Sequence, residues 1–234
     1  MDSSSALAEA ARLLITFDAN LVEIVALSLR VSLSAVLLAC LIGMPLGAAL
    51  VVLRFPGRAV MSVLLTALMG LPPVVVGLLV YLMLSASGPL GVLGLLYTPT
   101  AMIIAQTLLV VPIVATLTRQ VIEDLHGEYD EYLRSLGASP RAIVGTLLWD
   151  ARFSLLTAAL AGLGRAFAEV GAVMIVGGNI NHLTRVMTTA IALETSKGAL
   201  ALALGLGIVL LLLSFLITAL ALGVRQRAAG YAHV

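Results

Sequence analysis

Arg165 and Glu169 stand four residues apart in an apolar stretch that runs from Arg152 to Val176. Ionisable groups in hydrocarbon are costly unless they pair or face water, so both need a reason to be there. On one helix they share a face and can bond to each other. Two readings stay open. The pair is self-satisfied and orients its helix against a neighbour, or Arg165 faces a pathway and favours an anion while Glu169 holds it in place. Gln106 is a further polar residue of this kind in an apolar run. Arg165, Glu169 and Ser154 could in principle share a wet cavity, but they do not make an acid, base and nucleophile set. A self-contained intramembrane enzyme or channel is therefore the competing class without a constellation behind it.

The remaining chemistry is sparse. His126, His182 and His233 are scattered along the chain, with no HExxH or Cys/His cluster, so no metal site and no catalytic residue is expected. Cys40, the one cysteine, lies in an apolar run and reads as a small packing residue.

These residues must be positioned by membrane helices. Hydrophobic residues make up 61% of the 234-residue chain and charged ones 11%, in runs too long for a soluble core. The net charge of +1, with no basic block, excludes a nucleic-acid partner and leaves the lipid bilayer as the main solvent. The start, MDSSSALAEAARLL, lacks the basic opening of a cleaved signal, so the first apolar segment is expected to stay.

The predicted fold is all-α and polytopic, with five transmembrane helices over Ile24–Leu53, Ala59–Leu84, Pro99–Thr118, Arg152–Val176 and Ala199–Val224. Residues 1–20 form a short interfacial segment, with an apolar stripe from Ala6 to Phe17. Residues 21–226 form the membrane domain and 227–234 a short tail. Arg54, Arg58, Arg119, Arg134, Arg141, Arg152, Arg225 and Arg227 fall on one side, whereas the loop Ser85–Thr98 has no basic residue. The positive-inside rule then puts the amino terminus outside and the carboxyl terminus in the cytoplasm of a cell inner membrane. Breaks are expected at Gly43–Gly47, at Gly70-Leu71-Pro72-Pro73 and at Pro112, which is the pattern of a moving pathway.

Between the third and fourth spans lies a polar island, DEYLRSLGASPRAIVGTLLWD, over residues 130–150. A helix from Glu123 to Leu136 should end at Gly137, and a second should start with Ser139 as cap and Pro140 at its first position. Ile143, Val144, Leu147 and Leu148 then form a stripe on the second helix. It either packs under the protein's own spans or inserts into a partner's groove.

Glu131-Tyr132-Leu133 followed after three residues by Gly137 resembles the start of the cytoplasmic loop motif of ABC importer permeases, where Glu-Ala-Ala precedes a Gly by the same interval. Ser135 to Pro140, followed by Gly164 to Asn179, is similar to the molybdate, sulfate and tungstate branch. His182 to Glu194 resembles the tungstate members, and Gly70–Gly77 and Tyr97–Gln106 agree. Tyr132 and Leu133 depart from the paired alanines, and Asp150 stands where the motif usually ends in proline.

The resemblance implies a type I ABC importer permease. It would work as a second copy of itself beside the first, over a cytoplasmic ABC ATPase dimer, with an extracytoplasmic oxyanion-binding protein. ATP and Mg would be used by the ATPase chain and no cofactor by this one, which has no GxxxxGK[ST] loop. Tungstate is the expected cargo, with molybdate or sulfate as the alternatives. Glu131, Tyr132, Leu133, Gly137, Ser139, Pro140, Ile143 and Leu147 would make the ATPase-coupling loop. Pro72, Pro73, Gln106, Arg165 and Glu169 would line the translocation pathway, and Arg185 would meet the binding protein.

Overall fold

Long apolar runs closed by Gly or Pro dictate helices, and a computed structural model, which describes residues 12, 15, 16 and 18–231, contains no strand among them. The stripe expected from Ala6 to Phe17 lies almost wholly outside the described residues. Nine α-helices are described: α1 Ala19–Val52, α2 Arg58–Leu68, α3 Pro73–Leu84, α4 Pro99–Ser135, α5 Pro140–Asp150, α6 Leu155–Phe167, α7 Gly171–Gly177, α8 Met187–Ser196 and α9 Leu200–Tyr231. Single 3₁₀ turns sit at Gly91–Leu93 and Ala151–Phe153. Asp18 starts α1, its Oδ1 accepting from the N–H groups of Asn20 and Leu21 at 3.1 Å each.

By length and composition α1, α4 and α9 can each cross a bilayer, and the count reaches five if each broken pair, α2 with α3 and α5 with α6, makes one span. Leucines and Phe215 on α1 and α9 stay exposed, as a lipid-facing surface requires.

Several expectations need correction. Pro45 and Pro112 lie inside continuous helices, so neither Gly43–Gly47 nor Pro112 is a break. Gly43 and Gly47 instead let α1 approach α4 closely. A Cβ on Gly43 would come 3.1 Å from the Ala115 nitrogen, and one on Gly47 would meet the Ala115 carbonyl. The third span and the first helix of the polar island are one 37-residue helix, α4. The fourth span is not a single helix either, because residues 168–170 are non-helical between α6 and α7.

The chain divides into two compact units. The first takes residues up to Ala35, Pro72–Gln106 and Ala166–Ile217, and the second takes Val36–Leu71, Thr107–Arg165 and the remainder. Within the first, Leu21 and Ile24 of α1 pack with Met187 and Ala190 of α8 and Leu206 of α9. The N–H of Met187 donates to Ser28 Oγ at 2.7 Å, which ties α8 to α1. Within the second, Leu50, Leu65 and Ala115 hold α1, α2 and α4 together.

Candidate functional site

The polar island folds as a helix–turn–helix whose geometry follows from three residues. Gly137 has φ +71°, a left-handed conformation that ends α4 and that side chains resist. Ser139 is extended, and its Oγ accepts from the Ala142 N–H at 3.3 Å. Pro140 fills the first turn of α5, where a missing N–H costs nothing.

The stripe on α5 turns inward. Ile143 and Leu147 are buried with Ala48, Val51, Val52, Ile122, Ala151 and Leu155, and Leu133, Val144 and Leu148 pack at the edge of this core. Burying each of those two side chains is worth about 1.5–3 kcal/mol, so the hairpin is bolted to its own unit. Of the two readings of the stripe, packing under the chain's own helices is the one observed. What a partner could touch is the other face, where Glu131, Tyr132, Gly137, Ser139, Pro140 and Trp149 are exposed, Trp149 by 71%. Arg152 completes that end, donating to the Trp149 carbonyl at 2.6 Å and lying over the Trp149 and Phe153 rings. A cleft of about 770 Å³ beside the hairpin is lined by Arg54, Phe55, His126, Asp130 and Pro140, among others.

The pathway candidates fall differently. Pro72 is extended and Pro73 opens α3, so that break is built from residues that never needed a helical donor. Gln106 and Glu169 are each only 3% exposed. Both serve the break at 168–170. Gln106 Nε2 donates to the Ala166 carbonyl at 3.1 Å, and Glu169 Oε1 accepts from the Ala172 N–H at 2.9 Å, capping α7. Thr188 Oγ1 donates to the Glu169 carbonyl at 2.8 Å. Irregular backbone at membrane depth persists only when its polar groups are satisfied this way. Arg165 stands in the last turn of α6 and Glu169 beyond its end, so the premise that one helix carries both on one face is corrected.

The helices that follow the two breaks, α3 and α7, meet within the first unit. A Cβ on Gly171 would come 2.9 Å from Val74 Cγ2, and one on Gly77 would come 2.7 Å from the Ala172 Cα, so α3 and α7 cross in direct backbone contact. Gln106 Oε1 has no protein partner and borders a cavity of about 10 Å³ with Ser28, Ser32 and Thr188, room for one water.

Arg185 is not an open docking residue. Its side chain is 15% exposed and lies 3.9 Å from Glu194, which also holds Lys197 at 3.1 Å. Asn181 and His182 are exposed polar residues of that loop, and His182 pairs with Glu23 of α1 at 2.7 Å. The sequence reading missed Thr188, Ser28 and the capping role of Glu169. Hydroxyls recurring in apolar runs were the available signal.

Residues 36–229 match the family described as the inner membrane component of binding-protein-dependent transport systems. The chain is 41% identical over 217 residues to a tungstate uptake system permease protein of Peptoclostridium acidaminophilum, covering 93% of this chain and 95% of that one. It is 40% identical over 215 residues to a probable anion ABC transporter permease protein of Haloferax volcanii, covering 90% and 93%. A tungstate uptake system permease protein of Campylobacter jejuni is 45% identical over 130 residues, 56% of this chain and 54% of that one.

Proposed function

The chain belongs to the family of binding-protein-dependent inner membrane transport components, as a permease subunit of an ABC importer, and from that premise we propose that it conducts tungstate into the cytoplasm by alternating access. The permease performs no catalysis. ATP is hydrolysed on a separate ATPase chain, and a substrate-binding protein delivers the cargo. The cargo assignment rests on likeness to permeases named for tungstate uptake at 41% and 45% identity.

The observation that carries the mechanism is the anchored hairpin. Because Ile143 and Leu147 are buried in their own unit while Glu131, Tyr132, Gly137, Ser139 and Pro140 face outward, a push on the exposed face is transmitted to α1, α4 and α6 without slack. In this reading two copies of the chain form the pathway over an ATPase dimer. The hairpin lies in the cytoplasm with the carboxyl terminus, and the amino terminus lies outside. Closure of the ATPases on ATP moves each hairpin as a lever, and the pathway opens at the broken helices. Pro72, Pro73, Gln106, Arg165 and Glu169 are the pathway residues in this scheme. On the outer face, the loop carrying Arg185 receives the binding protein, and His182 and Lys197 supply its exposed contacts.

The decisive experiment reconstitutes the chain with its cognate ATPase and binding protein and offers tungstate and molybdate together. ATP-dependent accumulation with tungstate in excess is expected. Equal accumulation of both, or preference for molybdate or sulfate, overturns the cargo assignment while leaving the permease intact. Uptake that persists without any ATPase overturns the coupling mechanism.

A further inference from the structure

On the second unit, α2 begins at Arg58 immediately after Gly57, whose left-handed φ of +89° turns the chain out of the loop that follows α1. The turn leaves a cleft of about 590 Å³ lined by Leu50, Phe55, Arg58, Ser62, Val63 and Arg119, among others. Two arginines and a serine thus line one concave site. Arg119 also holds Glu123 at 3.3 Å, but none of the residues lining the cleft is acidic, so the lining is net positive.

The cleft does not end in water-loving surface. Val63 lines it and is 70% exposed, and Val60, one turn earlier on α2, is 72% exposed. Met61 and Leu64 continue the exposed apolar face. Because α2 is half of a broken membrane span, this apolar face meets the bilayer, and the cleft opens beside lipid and not only onto water. A molecule with an anionic head and a hydrocarbon body satisfies both halves. The head needs bidentate acceptors for Arg58 and Arg119, and the phosphate of a phospholipid provides them. The body then lies along Val60 and Val63.

We infer that the Arg58–Ser62–Arg119 cleft is a binding site for the phosphate headgroup of an anionic phospholipid, which seats the start of α2 at the membrane surface. None of the coupling-hairpin or pathway residues lines the site. Arg119 is the only one of its polar groups carried on α4, so the lipid bridges α2 to α4 beside the Leu50, Leu65 and Ala115 core. A bound headgroup would thereby stiffen the entry to the broken pair α2 and α3.

The test uses the full chain purified from membranes and then placed in nanodiscs of phosphatidylcholine with or without phosphatidylglycerol, reading retained lipid by native mass spectrometry. Wild type should retain phosphatidylglycerol over phosphatidylcholine. Each of Arg58→Gln and Arg119→Gln should lower that retention roughly five-fold, the effect of removing one basic contact at an anionic surface. Arg58→Lys with Arg119→Lys, which keeps the charge, should retain most of it, and Arg141→Gln, outside the cleft, should change nothing. A loss in the Gln variants caused by misfolding would also appear as a lower thermal midpoint in phosphatidylcholine alone, where none is expected.

Equal retention of both lipids, or retention unchanged in the double Gln variant, overturns the inference. Release of phosphatidylglycerol by inorganic phosphate, with phosphate itself bound in lipid-free detergent, would make the ligand a soluble phosphate. Loss of dimer on size analysis with lipid retention unaltered would assign the cleft to a second copy of the chain. Either result refutes the lipid.

Discussion

Replacing Gly137 separates backbone strain from partner contact. With φ at +71° any L side chain is disfavoured, by about 1–2 kcal/mol for Ala. A Cβ there would meet nothing within 4 Å, so for alanine the cost in the chain alone is backbone strain and not a clash. Strain of this size shifts the population of the turn by a factor of roughly 5–30. That shift is opposed by the burial of Ile143 and Leu147 on the far side of the turn. Gly137→Ala should therefore leave measurable uptake, and Gly137→Asn, which tolerates the left-handed region, should leave more. Gly137→Trp should abolish uptake, because its bulk stands where the ATPase would dock. The assay is ATP-dependent tungstate uptake into proteoliposomes holding the ATPase and binding protein, with membrane insertion and ATPase copurification followed in parallel. Insertion should be normal in all three variants. If Gly137→Trp transports like Gly137→Ala, strain alone accounts for both, and the hairpin is not the surface that the ATPase grips.

Other perturbations read other parts of the chain. Glu169→Ala removes the cap of α7 and should lower stability by about 0.5–2 kcal/mol, seen as a reduced melting midpoint in detergent, whereas Glu169→Gln keeps an acceptor and should melt near wild type. If Glu169→Gln melts normally but transports nothing, the charge itself serves the pathway and the capping role is secondary. Gly47→Leu should force α1 from α4 at Ala115 and cost about 1–3 kcal/mol or more, read as loss of folded protein on fluorescence-detected size exclusion; normal expression would refute the close packing. Ile143→Ala should cost about 2–5 kcal/mol and uncouple ATP hydrolysis from uptake, so tight coupling in that variant would count against the anchored lever.

The elements announced by local chemistry were legible in the sequence. Gly137, Ser139 and Pro140 each dictate a backbone state by their own covalent structure, and the hairpin folds as they require. Pro72 and Pro73 likewise end one helix and start another. Proline was over-read at positions 45 and 112, because each removes one helical donor while the neighbouring turns and a packed partner helix keep the axis continuous. The break at residues 168–170 was missed for the opposite reason. Ala168, Glu169 and Val170 carry no signal of a break, and their non-helical backbone is held by Gln106 and Thr188, 60 and 19 residues away from the carbonyls they serve. The pairing of Arg185 with Glu194 on α8 was not legible, because it depends on the turn before Arg185 in which Thr184 bonds back to Gly177 and Ile180.

The two breaks differ in what it costs to change them. At Pro72 and Pro73 two consecutive donors are missing and Pro73 disfavours a helical backbone at Pro72, so straightening that stretch costs more than carrying the single prolines 45 and 112 inside a helix. At residues 168–170 the backbone could form helical bonds and is kept from doing so by exchangeable contacts to Gln106, Thr188 and the Glu169 carboxylate. Each such bond nets only about 0.5–1.5 kcal/mol, up to about 3 for the charged acceptor, and the lost contacts would be offset by helical ones. Glu169 loses most in that exchange, since a straightened segment would leave its carboxylate without the Ala172 donor at membrane depth. A conformational change that opens the pathway is therefore expected to preserve the bend at the proline pair and to remodel the Glu169 segment, whose hydrogen bonds are exchangeable.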